Sequence, residues 1–409
     1  MSSSAKYQLY IVSLIVLLGF IGNSIAYPIF APLFLHPKYG NIVPHQLGST
    51  WRNIFLGITL TMYPLGQFIG LPILGALSDR HGRKKILLIS IWSQVVFYLL
   101  TALSLIYNLL WLLILSRLLT GCTEGNLSIA RSIVVDNTEL NRHKNLGLIS
   151  AMAAFGYILG PLIGGIFTDR SFVVWFNFSV PFAVAALLSL VIVIIVTLYL
   201  HESIAKPYDS GIILFQQFNI IRRLKFLCHN KKLKVLLIAS SITSISYDAY
   251  YEFYPAYLTG LRHATSLQIA WYTAILSTAI GISCGWLSHT LAYYFKNSQL
   301  IIFSLLVLFL CLIALLLLSS PWMMIVLFIS LGLAIGVSST NYTLQVSEVA
   351  DIHIQGEIFG TILGLRMLLD SFVSFIGGLL LVIAYTLPIG VAALAALIGW
   401  IIYYKTYKL

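Results

Sequence analysis

Apolar runs of about 20 residues recur from one end of the chain to the other, separated by short polar stretches, and a helix of that length spans the hydrocarbon of a bilayer. The pattern predicts twelve membrane-spanning helices, at 8–31, 52–77, 86–107, 109–133, 146–168, 173–200, 234–258, 266–292, 299–319, 321–345, 357–384 and 386–404. Gly and Pro fall inside several runs, where neighbouring helices can satisfy the backbone groups they free. The first run is longer than the apolar part of a secretion signal and no small-residue cleavage site follows it, so it reads as span one. The one sizeable polar stretch, 201–233, reads as a linker with a short amphipathic piece, LFQQFNIIRRLKFL, and no attached soluble domain is expected.

Composition sharpens the picture. The chain is 59% hydrophobic and 9% charged, against roughly 25% charged in an ordinary soluble domain. So few charges could not cover the surface of 409 residues in water. The expected fold is therefore all-α, a polytopic protein surrounded by a lipid bilayer. Charge then sets orientation. With the N-terminus inside, eighteen Lys and Arg fall on the cytoplasmic side, four (Lys38, Arg52, Arg170, Arg262) fall outside, and Arg117 and Arg366 lie within spans. The positive-inside rule places both termini in the cytoplasm. The same distribution disposes of a nucleic-acid partner, which a net charge of +11 and a pI near 9.4 would otherwise suggest. Cys122, Cys284 and Cys311 sit in spans and Cys228 in the linker, without CxxC or metal-ligand spacing, so no disulfide, metal or cofactor is expected.

The linker divides the chain into 1–200 and 234–409, six spans each, joined by 201–233. Gly75-Ala-Leu-Ser-Asp79, after span two, is echoed 210 residues later by Gly285-Trp-Leu-Ser-His289 at the end of span eight. Val135-Asp136 followed by Leu146-Gly147 is echoed by Ala350-Asp351 followed by Phe359-Gly360. Two echoes at equivalent positions point to duplicated, pseudo-symmetric six-helix halves, an architecture in which transporters place a solute site between the repeats.

Three motifs extend this reading. Gly75-x-x-x-Asp79-Arg80-x-Gly82-Arg83-Lys84-Lys85 resembles the loop 2–3 signature of the major facilitator superfamily, and lies in that loop. Arg117-Leu-Leu-Thr-Gly121 is similar to the family's Arg-x-x-Gln-Gly, with Thr120 in place of Gln. Gly156-x-x-x-Gly160-Pro161-x-x-Gly164-Gly165 is similar to the span-five motif of its proton-coupled antiporters. Tyr27-Pro28-x-x-Ala31-Pro32 and Tyr63-Pro-Leu-Gly-Gln67 resemble the twelve-span drug-efflux branch, which includes the tetracycline exporters. The resemblance implies a monomer in the bacterial inner membrane that exports a small organic molecule against protons by alternating access. An importer or facilitator of a nutrient or siderophore is the alternative within the same fold. A membrane enzyme is disfavoured, because no HExxH, GxSxG or paired metal-ligand motif occurs. Spans one, three and nine lack the acids that tetracycline exporters carry there, so tetracycline itself is not the expected substrate.

The resemblance also implies a gate. Asp79 would dock on the N-terminus of span eleven, the positive end of its dipole, with Arg80 and Arg83 bonded to Asp136, and with Gly75 and Gly82 shaping the turn. Gly156, Gly160 and Gly164 stand four apart, a shallow stripe where another backbone can approach; Pro161 bends that helix, and Gly281 with Gly285 offers a comparable stripe in the second half. Charges within spans cost about 2.5–3.5 kcal/mol each at a helix centre, so they are functional candidates by default. They are Arg117, Glu124, Asp248, Glu252, Arg366 and Asp370. Arg366 and Asp370 are four apart and placed to neutralise each other. Arg117 and Glu124 share a face two turns apart, about 10.5 Å in rise, and meet only through extended side chains. The run YDAYYEFYPAY sets five tyrosines around Asp248 and Glu252, a lining suited to an aromatic or cationic solute. Tyr254 and Tyr257 could equally belong to an interfacial belt. Asn23, Tyr27, Gln67, Tyr157, Tyr247, Tyr251 and Asn341, with Arg117 and Arg366, are the substrate-facing candidates; helix-to-helix hydrogen bonding is the alternative for the polar ones. Asp248 has no basic residue in its span except at the ends, and is the expected proton carrier, ahead of Glu124, Asp370 and Glu252.

Overall fold

The computed structural model describes residues 3–36, 42–44, 47–136, 142–202, 231–318, 320–349 and 355–406. Among these, every regular element is a helix. Most of the linker lies outside the described residues, as do Cys228, Ala350 and Asp351. Twelve spans follow in the predicted order. Ten of them are long and apolar enough to cross a membrane. The other two are span four, which is split, and span seven (Lys231–Arg262), which carries Asp248 and Glu252.

Four spans depart from the predicted continuous helices. Span one is two helices, Ser3–Ser24 and Tyr27–Leu35. Pro28 lies in the first turn of the second, where its missing N–H costs nothing. Span four is Leu110–Cys122 and Asn126–Asp136, parted at Thr123, Glu124 and Gly125. Span six begins at Val180 rather than 173, because Asp169 and Asn177 accept the backbone N–H groups of Ser171 and Ser179 (2.8 Å each) and close turns instead. Span eight runs Ser266–Ile282, widens into a π turn at Ser283–Leu287, and ends at Ser288–Leu291. The remaining spans are two (Gly48–His81), three (Arg83–Ile106), five (Arg142–Thr168), nine (Asn297–Leu317), ten (Pro321–Val349), eleven (Gln355–Ile383) and twelve (Leu387–Thr406).

The helices gather into two compact units. The first comprises Met1–Gly48, Met62–Phe218 and Thr265–Trp271; the second comprises Ser49–Thr61, Asn219–Ala264 and Tyr272–Leu409. The core of the first joins Val12, Ile15 and Val16 of span one to Leu87 and Ile91 of span three, Ile129 and Val134 of span four, Ile149 of span five and Ile192 and Val196 of span six. In the second, Tyr250 and Tyr254 pack on Phe328 at ring separations of 6.0 and 5.1 Å. Tyr254 is bonded to Thr273, and the Tyr257 hydroxyl donates to the carbonyl of Leu315 at 2.9 Å. Both tyrosines are buried, so neither belongs to an interfacial belt. The head of span two lies on span eleven in this unit, with Asn53 Nδ2 donating to the carbonyl of Leu381 at 3.0 Å.

Candidate functional site

The charged loop is shorter than the sequence implied. Span two stays helical through Asp79 and Arg80, and one residue, Gly82, makes the turn at φ 98°, a conformation side chains rarely adopt. Asp79, 53% exposed, pairs with Arg83, and Arg83 Nη1 also donates to Ser78 Oγ at 2.7 Å. Gly75 does not shape the turn: it lies inside the helix with open space where a side chain would go. The side chain of Asp136, the expected partner of the arginines, lies outside the described residues.

A residue missed by sequence reading sits in this loop. Glu202, just past span six, accepts the backbone N–H of Arg83 at Oε1 (2.8 Å) and of Lys84 at Oε2 (3.1 Å). It caps span three with a full negative charge at the positive end of the helix. A Cβ on Gly82 would meet Glu202 Oε2 at 2.6 Å, a second reason for glycine there. No local signal reveals the cap, because its two halves are over a hundred residues apart in sequence.

The stripe on span five packs on span one. A Cβ at Gly156 would meet Phe20 Cβ at 2.5 Å, one at Gly160 would meet the carbonyl of Ile21 at 2.6 Å, and one at Gly164 would meet Pro28 Cγ at 3.2 Å. Ser24 Oγ, beside the break in span one, lies 2.7 Å from the carbonyl of Phe20 and 3.0 Å from that of Gly156, its two acceptors. Pro161 is buried, and the helix continues through it. Gly281 and Gly285 have nothing within 4 Å, so the expected second stripe is not a packing surface. Another close approach was not anticipated. Spans two and four touch at Gly66 and Gly121, where a Cβ on Gly66 would meet Gly121 Cα at 2.9 Å.

In the first unit, Arg117 is buried between two rings, its guanidinium 5.1 Å from the centre of Phe30 and 4.5 Å from that of Tyr63. Its Nε has no hydrogen-bond partner. Glu124 lies in the break of span four, where Gln94 Nε2 donates to its Oε2 at 2.9 Å. Ser90 Oγ donates to the adjacent carbonyl of Thr123 at 2.5 Å, so span three supplies bonds that the interrupted helix lacks. The Tyr63 hydroxyl reaches the Glu124 carboxylate and accepts from Gln67 Nε2 at 3.3 Å. Arg117 and Glu124 are thus linked through the ring and hydroxyl of Tyr63. Tyr157 contacts Phe20 and Tyr27, with ring centres 5.2 and 6.3 Å apart, and Asn23 is buried.

The second unit holds the other charges, and here one expectation is overturned. Arg366 does not turn to Asp370 on its own helix; its Nη2 reaches across to Asp248 Oδ1 on span seven at 3.0 Å. Asp248 is therefore not the unpaired acid that its own span suggested. Asp248 is 7% exposed and Arg366 47%. Asp248 Oδ2 and Asp370 Oδ1 are both shut from solvent without a hydrogen-bond partner. Asp370 stands in the combined field of Asp248, Glu252 and Arg366. Of the flanking tyrosines, Tyr247 donates to Ser338 Oγ at 2.5 Å, Tyr251 is half-buried 3.4 Å from Ser277 Oγ, and Tyr250 is wholly core. Asn341 is wholly buried, donating to Ser288 Oγ (3.0 Å) and the carbonyl of Val337 (2.8 Å), and ties spans eight and ten together.

Comparison with known proteins agrees with this architecture. The family described as Major Facilitator Superfamily matches residues 12–378. The chain is 38% identical over 148 residues to the class B tetracycline resistance protein of Escherichia coli, a segment covering 36% of this chain and 35% of that protein. It is 25% identical over 284 residues to the multidrug resistance protein MdtG of Proteus mirabilis (strain HI4320), covering 69% and 65%. The matched segment is thus only about a third of the length of the tetracycline resistance protein. Among solved structures, the nucleoside transporter NupG superposes over 98% of this chain and 100% of its own, with a TM-score of 0.76 at 12% identity, a likeness of fold alone.

Proposed function

The chain belongs to the major facilitator superfamily, and from that premise we propose that it exports a small organic molecule in exchange for protons, by alternating access, with both termini in the cytoplasm. The observation that carries the reading is a pair of acids in membrane-spanning helices, Asp248 bonded to Arg366 between spans seven and eleven, and Asp370 standing in the field of both. Ionised carboxylates at this depth are costly, and their use as proton sites is a common reason for a transporter to hold them. The coupled proton exchanges on Asp248 and Asp370, with Glu124 as the corresponding acid of the first unit. Solute is held by Arg117, Tyr27, Gln67 and Tyr157 in the first unit and by Tyr247 and Tyr251 in the second, and the protein acts as a monomer of a bacterial inner membrane.

Export as the direction is supported by the resistance proteins to which the chain is similar and by the Gly156–Gly165 motif. The importer alternative is favoured by no observation on these side chains. The test is transport in everted vesicles carrying the full chain, with a preformed pH gradient and a panel of organic solutes. Collapse of the gradient on adding a solute, with uptake of that solute into the vesicles, is the expected result. Solute movement in the opposite sense, indifferent to the gradient, would overturn the reading.

A further inference from the structure

The break in span four places Glu124 where span three can reach it. Between Cys122 and Asn126 the helix is interrupted, so backbone carbonyls there lose their usual partners and turn to side chains. Ser90 Oγ donates to the carbonyl of Thr123 at 2.5 Å. Gln94, one turn further along span three, does something else. Its Nε2 stands 3.5 Å from that same carbonyl but 2.9 Å from Glu124 Oε2, so its shorter bond goes to the acid. Both side chains are buried, which puts the bond beyond the reach of bulk water. A polar side chain inside a span is commonly glue between helices. Two features set Gln94 apart from that role: the backbone of the break is already served by Ser90, and the acceptor nearest its amide is an ionisable group. The chemistry of an amide suits an acid that takes up and gives up a proton. Its N–H donates to a carboxylate, and equally to the carbonyl oxygen that a protonated carboxyl retains. Being neutral, it does not pin the acid to one protonation state as a paired base would. The other titratable or charged groups that face Glu124 are the Tyr63 hydroxyl from span two, Tyr98 from span three and Arg117 from span four, with Tyr157 of span five in the field of Tyr63.

We propose that Gln94 is a positioning residue for proton exchange on Glu124: its amide holds the carboxyl group at the break of span four in the ionised and the protonated state alike. The inference rests on the reading of Glu124 as the proton site of the first unit. On protonation the new O–H bond forms at Oε1, while Oε2 stays bonded to Gln94 Nε2, so the acid does not swing away from the Tyr63 hydroxyl. Without the amide, the carboxyl group is free to turn and meets its proton in a changing place. A neutral residue, on a span that carries no acid, thereby becomes part of the proton site.

Infrared difference spectroscopy on the purified, detergent-solubilised full chain tests this with the proton itself as the probe, by stepping the pH and without any solute. A protonated carboxyl shows a C=O stretch that an ionised carboxylate lacks, and its frequency falls when that oxygen accepts a hydrogen bond. The wild type is expected to show such a band, and Glu124→Gln to lose it. Gln94→Met, which keeps the length of the side chain and removes the donor, should move the band to higher frequency and broaden it, with the bands of the other acids in place. Should the methionine variant fail to fold, Gln94→Asn, which draws the same amide back by one methylene, is expected to move the band in the same direction. A glutamine that only joined spans three and four through Thr123 would leave the band where it is. An unmoved band in the folded variant would therefore overturn the proposal while leaving Glu124 as a proton site. Absence of a Glu124 band in the wild type, across the pH range in which it stays folded, would overturn both.

Discussion

Gly57 and Gly378 meet backbone to backbone: a Cβ on Gly57 would stand 2.5 Å from Gly378 Cα and 3.2 Å from the carbonyl oxygen of Ser374. The head of span two rests here on span eleven with no side chain between them. Small residues are what allow helices so close together in a membrane, where packing rather than hydrophobicity drives association.

Gly57→Ala and Gly378→Ala should therefore force the helices apart, at about 1–3 kcal/mol for an overpacked contact. Solute flux in vesicles is expected to fall about tenfold in each, with normal insertion in the membrane. Gly281→Ala is the control, since nothing lies within 4 Å of that glycine. An equal loss in the control would mean that the close contact is not the cause.

The cap on span three predicts a stability effect confined to the charged loop. Glu202→Ala removes the acceptor of two backbone N–H groups and should cost about 0.5–2 kcal/mol. Gly82→Ala should cost more, because it adds a clash with Glu202 to a backbone at φ 98°. Thermal unfolding of the purified protein in detergent measures both. If Glu202→Ala left the midpoint unchanged while Gly82→Ala lowered it, the capping argument would fail and the strain argument would stand.

How much of this was legible beforehand divides along the range of the interaction. The twelve spans came from apolar run length, which is a property of each segment alone. Breaks in spans one and four were not read, although Pro28 and the Thr123-Glu124-Gly125 run mark them locally, because length outweighed them. The charged residues within spans were found one by one, since charge in an apolar run is conspicuous. Their partners were not found. Arg366 was matched with Asp370 from helical spacing, whereas the bond goes to Asp248, 118 residues away. Tyr63 was noted only as part of a motif, yet its ring and hydroxyl join Arg117 to Glu124. Periodicity places a residue on a face; it does not say which helix lies opposite.

Gly160→Leu tests the stripe on span five. The added side chain would run into Ile21 and Ser24 at the break in span one. Insertion is expected to continue while flux is lost. Wild-type flux would mean that span one can yield at its break, and that the close packing seen here is dispensable.

Tyr63 separates two contributions that act through one side chain. Tyr63→Phe keeps the ring under Arg117 and removes the hydroxyl that reaches Glu124; Tyr63→Leu removes both. Cation–π contact with a desolvated guanidinium is worth about 2 kcal/mol, so the leucine variant should lose more activity than the phenylalanine variant. Comparable flux in the two would leave the hydroxyl as the only part that matters.

Asp248→Asn is the most direct test of coupling, and the asymmetry of its ion pair makes the test readable. The substitution leaves Arg366 at 47% exposure, open to solvation, whereas Arg366→Gln removes the partner of a carboxylate that is only 7% exposed. Removing one partner of a buried pair costs about 3–5 kcal/mol when the group left behind is sealed from water. Asp248→Asn should accordingly fold and insert with little loss, while Arg366→Gln is the more destabilised of the two, and the double variant should recover stability relative to Arg366→Gln alone. In vesicles, Asp248→Asn is expected to abolish accumulation driven by a pH gradient while keeping exchange of solute across the membrane. Accumulation at the wild-type rate would take the proton away from Asp248, leaving Asp370, with its unbonded Oδ1, and Glu124 as the sites to replace next.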